Sequence, residues 1–443
     1  MRKIPDDISD RAIAFCILKA QREGQRLDRA LSQQLPRAGP SGRGLVTELV
    51  NGVVRQTARL DHHLLFFLPK GLDSIPPDVR IILRLSLYQL LFLENIPQRA
   101  ALDQAVRLTK WAGFEGLAPL VNGVLRSILK EGLRVAFPDR ESSPDAFLAT
   151  YYSHPLWLVR RWLERFGYEE TEQLLEANNA SPDLMVRMNT LRTTIHSLKK
   201  IFEEEGVEYT SSAYCEESLK LRLKGDIKQL PSFREGLYTV QDISSTLVGQ
   251  IPDVDKDTRS LDLCAAPGGK CTHLAERGED SGLVLAVDSS RQRMKLVLEN
   301  IERLRFNSIL CTVADGRSFS ARQFDLVVVD APCTGTGVLS RRADLRWRLK
   351  EEDLYSLNRL QSALLLNAST LVKSGGNLLY STCSLEPEEN IDVIENFLAA
   401  RGGYTRKAIV NVSPEFVGVS GCLETLPHRH RMDGMFACIM ARK

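Results

Sequence analysis

The chain has 443 residues, 43% of them hydrophobic and 26% charged, with a formal net charge of +2. That length predicts two or three domains, and that balance describes a soluble globular protein rather than a disordered or strongly basic one. Its longest apolar run, residues 79–93, is broken by Arg84 and is too short to cross a bilayer, so no membrane segment is expected. Met1-Arg2-Lys3 runs into Asp6, Asp7 and Asp10 without an apolar stretch, which predicts no secretory signal and a cytoplasmic location. Nine cysteines at irregular spacings, with no C-x-x-C pair, predict free thiols and argue against a disulfide framework or a structural zinc site. The histidines, His428 and His430 included, show no ligand spacing, and no metal is expected.

Apolar residues between 11 and 133 recur at helical spacing: Leu27, Leu31 and Leu35, then Leu45, Val46, Leu49, Val50 and Val53, then Val121, Val124, Leu125, Ile128 and Leu129. This predicts an all-helical domain over 1–140, ended by the polar run from Pro138 to Pro144. A small α+β module is expected over 147–232, with strands at 184–188 and 219–223 and a helix at 194–205 closed by Gly206. A third domain, 233–443, begins with a strand at 237–240 and a helix at 243–248. From Ser260 it alternates strands (261–264, 283–288, 309–313, 324–330, 377–382 and 436–441) with helical segments. Such alternation predicts a mainly parallel sheet whose ligands bind beyond the carboxyl ends of its strands, where the strand order reverses.

The motifs fall at those ends. Cys264-Ala265-Ala266-Pro267-Gly268-Gly269-Lys270 leads from a strand through a glycine turn into a helix, and its small residues let a ligand approach the backbone closely. Asp288 ends the next strand, 20 residues after Gly268, the spacing at which a carboxylate reaches ribose hydroxyls. Asp315 follows the third strand, in reach of an adenine amino group. Neither G-x-G-x-x-G nor G-x-x-x-x-G-K-[ST] is present, which disfavours dinucleotides and nucleoside triphosphates and favours S-adenosylmethionine, with its ribose and adenine but no phosphate.

Two further strand ends carry thiols, in Asp330-Ala331-Pro332-Cys333 and Ser381-Thr382-Cys383-Ser384. C5 of a pyrimidine takes a methyl group only after a thiolate has added at C6, so a thiol in this turn points to carbon methylation. A free thiol of ordinary pKa is only about 3% ionised at pH 7, so the nucleophile needs help, for which Lys270 and backbone donors are candidates. The spacing leaves open which cysteine attacks. Cys16, Cys215, Cys311, Cys422 and Cys438 read as ordinary core thiols. Arg341, Arg342, Arg346, Arg348 and Lys350, with Trp347 among them, follow the Cys333 turn and read as a phosphate-binding and base-stacking edge, against the plainer reading of a solvated helix start.

At these residues the sequence resembles the bacterial RNA 5-methylcytosine methyltransferases of the RsmB/Sun/Fmu type, within the NOL/NSUN superfamily, over nearly its whole length. The resemblance implies an N-terminal NusB-like helical domain, a small α+β module like an RNA-recognition motif and a C-terminal class I (Rossmann-like) methyltransferase domain. It also implies that Cys383 is the nucleophile, that Cys333 promotes product release, and that Asp330 positions the cytosine and shares in cofactor binding with the Cys264 to Lys270 loop, Asp288 and Asp315. The expected cofactor is S-adenosylmethionine and the expected partner small-subunit ribosomal RNA, with the enzyme a monomer. Transfer RNA as substrate, or a non-catalytic RNA-binding assembly factor, are the alternatives. Glu386-Pro387-Glu388-Glu389-Asn390 and Asp433-Gly434-Met435-Phe436 also resemble family landmarks, and Glu389 and Asn390 are expected to order the Cys383 loop. Cys271 departs from the Ser or Thr more usual there.

Overall fold

Amphipathic spacing in the first third of the chain does what it predicts. In a computed structural model that describes residues 8–223 and 225–443, helices Ser9–Arg22, Leu27–Gln34, Arg43–Arg55, Thr57–Phe67, Pro77–Phe92, Gln98–Trp111 and Ala118–Glu131 share one core. Ile13, Ile17, Val46, Leu49, Val50, Leu60, Val79, Ile82, Val121, Leu125 and Ile128 are buried in it. The amino-terminal lead with Asp6 and Asp7 lies outside the described residues. Among those described, no helix is long and apolar enough to cross a membrane.

The chain divides into two units, one running to Asn179 and including 342–348, the other comprising 180–341 and 349–443. Helices Pro144–Tyr151 and Leu156–Asn179, the second broken at Gly167 where φ is 76°, bury Leu148, Leu158, Val159, Trp162, Leu174 and Leu175. The short helix Leu345–Arg348 joins the same unit. Arg346 is 0% exposed and donates to the Ser153 carbonyl at 3.2 Å, the Asn178 carbonyl at 2.9 Å and Asn179 Oδ1 at 2.7 Å. Trp347 donates its indole N–H to the Val54 carbonyl at 2.7 Å.

In the second unit, β1 (Leu184–Met188), β2 (Glu208–Ser211), β3 (Ser218–Arg222) and β4 (Tyr238–Val240) form an antiparallel sheet in the order β2-β3-β1-β4. Helix Ile195–Glu204, capped by the Thr194 hydroxyl, packs Leu198 and Phe202 with Val186, Leu219, Leu221 and Tyr238. The edge strand β2, largely exposed and without apolar alternation, was not anticipated from the sequence.

The larger sheet contains β5 (Arg259–Asp262), β6 (Leu283–Asp288), β7 (Ile309–Val313), β8 (Phe324–Asp330), β9 (Val372–Thr382), β10 (Tyr404–Arg406), β11 (Leu423–Thr425) and β12 (Met435–Arg442). Its order is β10-β12-β9-β8-β5-β6-β7, with β11 on β12. Neighbours from β9 to β7 are parallel, whereas β12 runs antiparallel to β9 and β10 antiparallel to β12. The sheet is therefore mixed, and its order reverses between β5 and β8, the position at which open α/β sheets bind their ligands beyond the strand ends. Strand β5 stops at Asp262 rather than Cys264 because the chain turns there. Leu263 and Ala265 still donate to the carbonyls of Val328 and Val287, at 3.0 and 2.9 Å, and this holds the loop over the sheet.

Candidate active site

Strands β8 and β9 are parallel neighbours in which Asp330 pairs with Ser381, so the residues just beyond them emerge side by side. Cys333 Sγ and Cys383 Sγ lie 3.3 Å apart, and the Cys383 backbone N–H points at Cys333 Sγ at the same distance. Hydrogen bonding toward Cys383, reinforced by burial, holds the Cys333 thiol well above its ordinary range. At this separation the two sulfurs can share a proton, with either as the donor. Cys264 and Cys271 are also pushed well up, first by burial and then by Asp262, so neither is a thiolate.

The buried Glu389 stitches the two loops together. Its carboxylate accepts from the Thr334 backbone N–H at 2.9 Å, from the Thr334 hydroxyl and from Gln361 Nε2 at 2.9 Å, and burial raises its pKa above the usual carboxylate value. Asn390 donates to the Ser384 carbonyl at 2.8 Å and accepts from the Thr382 hydroxyl at 2.5 Å. Backbone bonds finish the seam, from Gly337 to the Cys383 carbonyl at 2.9 Å and from Gly434 to the Gly337 carbonyl at 2.8 Å. Gly337 has no room for a side chain: a Cβ there would sit 2.2 Å from the Gly434 carbonyl oxygen.

Asp330 ends β8 with its side chain 34% exposed. It accepts from the Ser381 hydroxyl at 2.8 Å and pairs with the buried Lys270 ammonium at 2.7 Å. Lys270 is the second residue of helix Gly269–Arg277, whose N-cap Gly268 takes φ 110°, a left-handed conformation that only glycine adopts without strain. Asp288 is buried and committed to the loop. It accepts from the N–H groups of Ala266 at 3.2 Å and Ser290 at 2.9 Å, while Arg293 lies 3.5 Å from it and donates to the Ala266 carbonyl. Asp315 is on the surface, chelated by Arg317 at 2.6 Å, which lowers its pKa to about 2. These residues fit a cationic adenosine cofactor. The loop presents bare backbone at Gly268 and Gly269, with no atom closer than 3.3 Å to where a Cβ would stand, and aspartates surround it.

One of these aspartates was missed in the sequence. Asp262, at the end of β5, is 0% exposed, its Oδ1 accepts a long bond from the Cys264 N–H at 3.3 Å, and its Oδ2 has no partner among the described residues. Burial, with Asp330 and Asp288 nearby, raises its pKa to about 7 against the lowering effect of Lys270. Its position between two leucines in an apolar strand was the signal that could have revealed it. Also missed was the buried Arg187 of β1, which pairs with Glu276 on helix Gly269–Arg277 and donates to Gln241 Oε1 at 2.6 Å.

The expected RNA-binding edge is only partly exposed. Arg346 is the buried bracket described above, because three oxygens contributed by residues 153, 178 and 179 converge on it, and it is not available to phosphate. Arg341 is committed to Asp433 at 2.7 Å, Asp242 at 2.6 Å and the Asp183 carbonyl at 3.0 Å. Arg342 is exposed, as is half of the Arg348 side chain, which reaches Asp344 at 3.2 Å.

Comparison with known proteins places the chain in a family. A family model for 16S rRNA methyltransferases of the RsmB/F type matches residues 251–441, a NusB family model matches 9–130, and a model of the ferredoxin-like domain of RsmF/B-like methyltransferases matches 154–228. The probable ribosomal RNA small subunit methyltransferase B of Bacillus subtilis (strain 168) is 38% identical over 410 residues, 90% of this chain and 91% of that protein. The chain belongs to the RsmB/F family of 16S rRNA methyltransferases. A relative of the same name from Synechocystis sp. is 37% identical over 97% of this chain and 98% of its own. The solved structure of PH0851 covers 99% of each chain with a TM-score of 0.84 at 27% identity. The family frame makes the three parts a helical NusB domain, a ferredoxin-like domain and a Rossmann-like methyltransferase domain with a mixed sheet.

Proposed function

We propose that this RsmB/F family member transfers a methyl group from S-adenosylmethionine to C5 of a cytosine in small-subunit ribosomal RNA, through a covalent bond between Cys383 and C6. The observation that carries this reading is the 3.3 Å separation of two thiols at adjacent strand ends, beside the Asp330–Lys270 pair. The Cys264 to Lys270 loop, Asp288, Asp315 and Asp330 hold the cofactor, which when bound supplies an electrophilic methyl group on a sulfonium.

Cys383 adds to C6 as a thiolate, stabilised by the proton that Cys333 retains and directs toward it. The electron pair displaced from the C5–C6 double bond makes C5 nucleophilic, and C5 takes the methyl. Solvent water takes the C5 proton, which re-forms the double bond and expels the Cys383 thiolate, a release that Cys333 promotes from its place against the same sulfur. Asp330 accepts from the cytosine amino group, while the Lys270 ammonium steadies negative charge that develops on the ring. A base inside a helix cannot reach two thiols at once, so the target cytosine is unpaired or flipped.

In the test, unmodified small-subunit RNA is incubated with cofactor and each variant and then run under denaturing conditions. Cys333→Ala accumulates an enzyme–RNA adduct and Cys383→Ala forms none. An adduct with Cys383→Ala alone would reverse the two roles, and its absence from both would end the covalent reading. Bisulfite mapping of ribosomal and transfer RNA from a deletion strain identifies the substrate.

A further inference from the structure

The Asp330–Lys270 pair is not held by its own strand and helix alone. An unbroken line of polar contacts leads away from it. The Lys270 ammonium also reaches Ser245 Oγ at 3.5 Å, Ser245 Oγ accepts from Gln241 Nε2 at 3.1 Å, and Gln241 Oε1 accepts from Arg187 Nε at 2.6 Å. Arg187 sits on β1 of the ferredoxin-like sheet and is buried, as is Gln241. Gln241 leaves its backbone on that sheet as well, donating to the Met185 carbonyl at 3.1 Å, while its amide group stands 3.3 Å from where a Cβ on Gly269 would be. Ser245 lies on helix Ile243–Gln250, capped by Asp242.

We propose that Ser245 and Gln241 are positioning residues for methyl transfer, which steer the Lys270 ammonium toward Asp330 and couple that pair to the ferredoxin-like sheet. The proposal rests on the reading in which Asp330 and Lys270 face the target cytosine. Lys270 has three protons to place. Asp330 takes one and Ser245 another, which fixes the rotation of the ammonium and leaves the third to the substrate. Without the Ser245 oxygen the ammonium keeps Asp330 but loses its second anchor. An ammonium free to rotate sheds the pre-organisation that makes such a group effective against developing charge. Gln241 acts one step further back: its carbonyl is held by Arg187, so its amide can only donate toward Ser245, leaving that oxygen oriented toward Lys270.

The test compares wild type, Ser245→Ala, Ser245→Thr and the pair Gln241→Met and Gln241→Met/Ser245→Ala in the full chain, with methylcytosine formation followed under single turnover. Ser245→Ala lowers the single-turnover rate roughly tenfold, as expected of one lost hydrogen bond to a charged group, with the RNA concentration at half-maximal rate and the cofactor dissociation constant unchanged. Ser245→Thr, which keeps the hydroxyl, restores most of the rate. Because Gln241 acts through Ser245, the double variant is no slower than Ser245→Ala alone. A Ser245→Ala enzyme as fast as wild type, a Ser245→Thr enzyme as slow as Ser245→Ala, or fully additive effects would overturn the proposal. If Gln241→Met does not fold, the alanine and threonine variants still decide. Wild-type protein that makes no methylcytosine would instead overturn the underlying functional reading.

Discussion

Asp262 gives a stability prediction whose sign and size follow from its surroundings. Burial, with Asp330 and Asp288 adding repulsion, raises its pKa from 3.8 to about 7 despite Lys270. A carboxyl whose pKa is higher in the folded chain binds its proton more tightly there. The stability this proton contributes is fully present below pH 4 and is lost as pH rises through about 7. A shift of about three units corresponds to ~4 kcal/mol. Asp262→Asn removes the titration and keeps the shape, including an oxygen for the Cys264 N–H. The variant is therefore expected to gain on wild type between pH 5 and pH 8 by a few kcal/mol, seen as a melting temperature that rises relative to wild type by several degrees. The assay is thermal unfolding of both proteins, without cofactor, at half-unit steps across that interval. A difference between the two melting temperatures that stays flat with pH would refute the argument, because it would mean that Asp262 is already ionised in the folded chain throughout the interval.

Four other substitutions read different parts of the molecule. Arg346→Met leaves two carbonyls and the Asn179 oxygen without their donor and is expected to destabilise the helical unit by about 3–5 kcal/mol in chemical unfolding, the usual cost of removing one side of a buried charged network. Arg342→Ala and Arg348→Ala are expected to leave stability within ~0.5 kcal/mol and to lower the salt dependence of RNA binding by about one counterion each; an unchanged salt slope would remove both from the RNA interface. Gly337→Ala forces a Cβ against the Gly434 carbonyl and parts the two loops. It is expected to abolish adduct formation in a Cys333→Ala background while cofactor affinity, measured by calorimetry, stays within about twofold.

The sequence revealed most where residues act through their own strand. Strands β6 and β8 appear at their expected positions because runs rich in Leu and Val, each followed by a polar turn, mark largely buried strands, and β7 keeps its expected place at the sheet edge with Leu310 and Val313 exposed. The short strands β2, β10 and β11 carry too few residues for any period, and β2 is mostly exposed. Helix Leu156–Asn179 was hidden by its arginines and by the break at Gly167. The Arg346 reading failed for a different reason. A run such as Leu345-Arg346-Trp347-Arg348 has the charge density of a surface, and what buries Arg346 is a set of oxygens contributed by residues more than 160 positions away. Asp262 shows the same limit in reverse, since its missing partner is a property of the packed core and of no local motif.

The two sulfurs were legible for a reason that also shows how they are controlled. Side chains alternate faces along a strand, so the register between neighbouring strands decides which residues meet beyond their ends. In β8 and β9 the register pairs Asp330 with Ser381, and the Ala331 N–H still donates to the Ser381 carbonyl at 2.8 Å. Cys333 lies three residues past Asp330, whereas Cys383 lies two past Ser381, an offset of one that the turn through Pro332 absorbs. Slipping β9 by one residue would carry Cys383 to the opposite face, away from Cys333 and Asp330 alike. Register alone brings the loops within reach of each other. Beyond β9, Glu389 accepts from the Thr334 backbone and hydroxyl on the Cys333 loop, and the two sulfurs lie 3.3 Å apart. The strands thus supply the placement, while a buried carboxylate bonded across to Thr334 ties the two loops together.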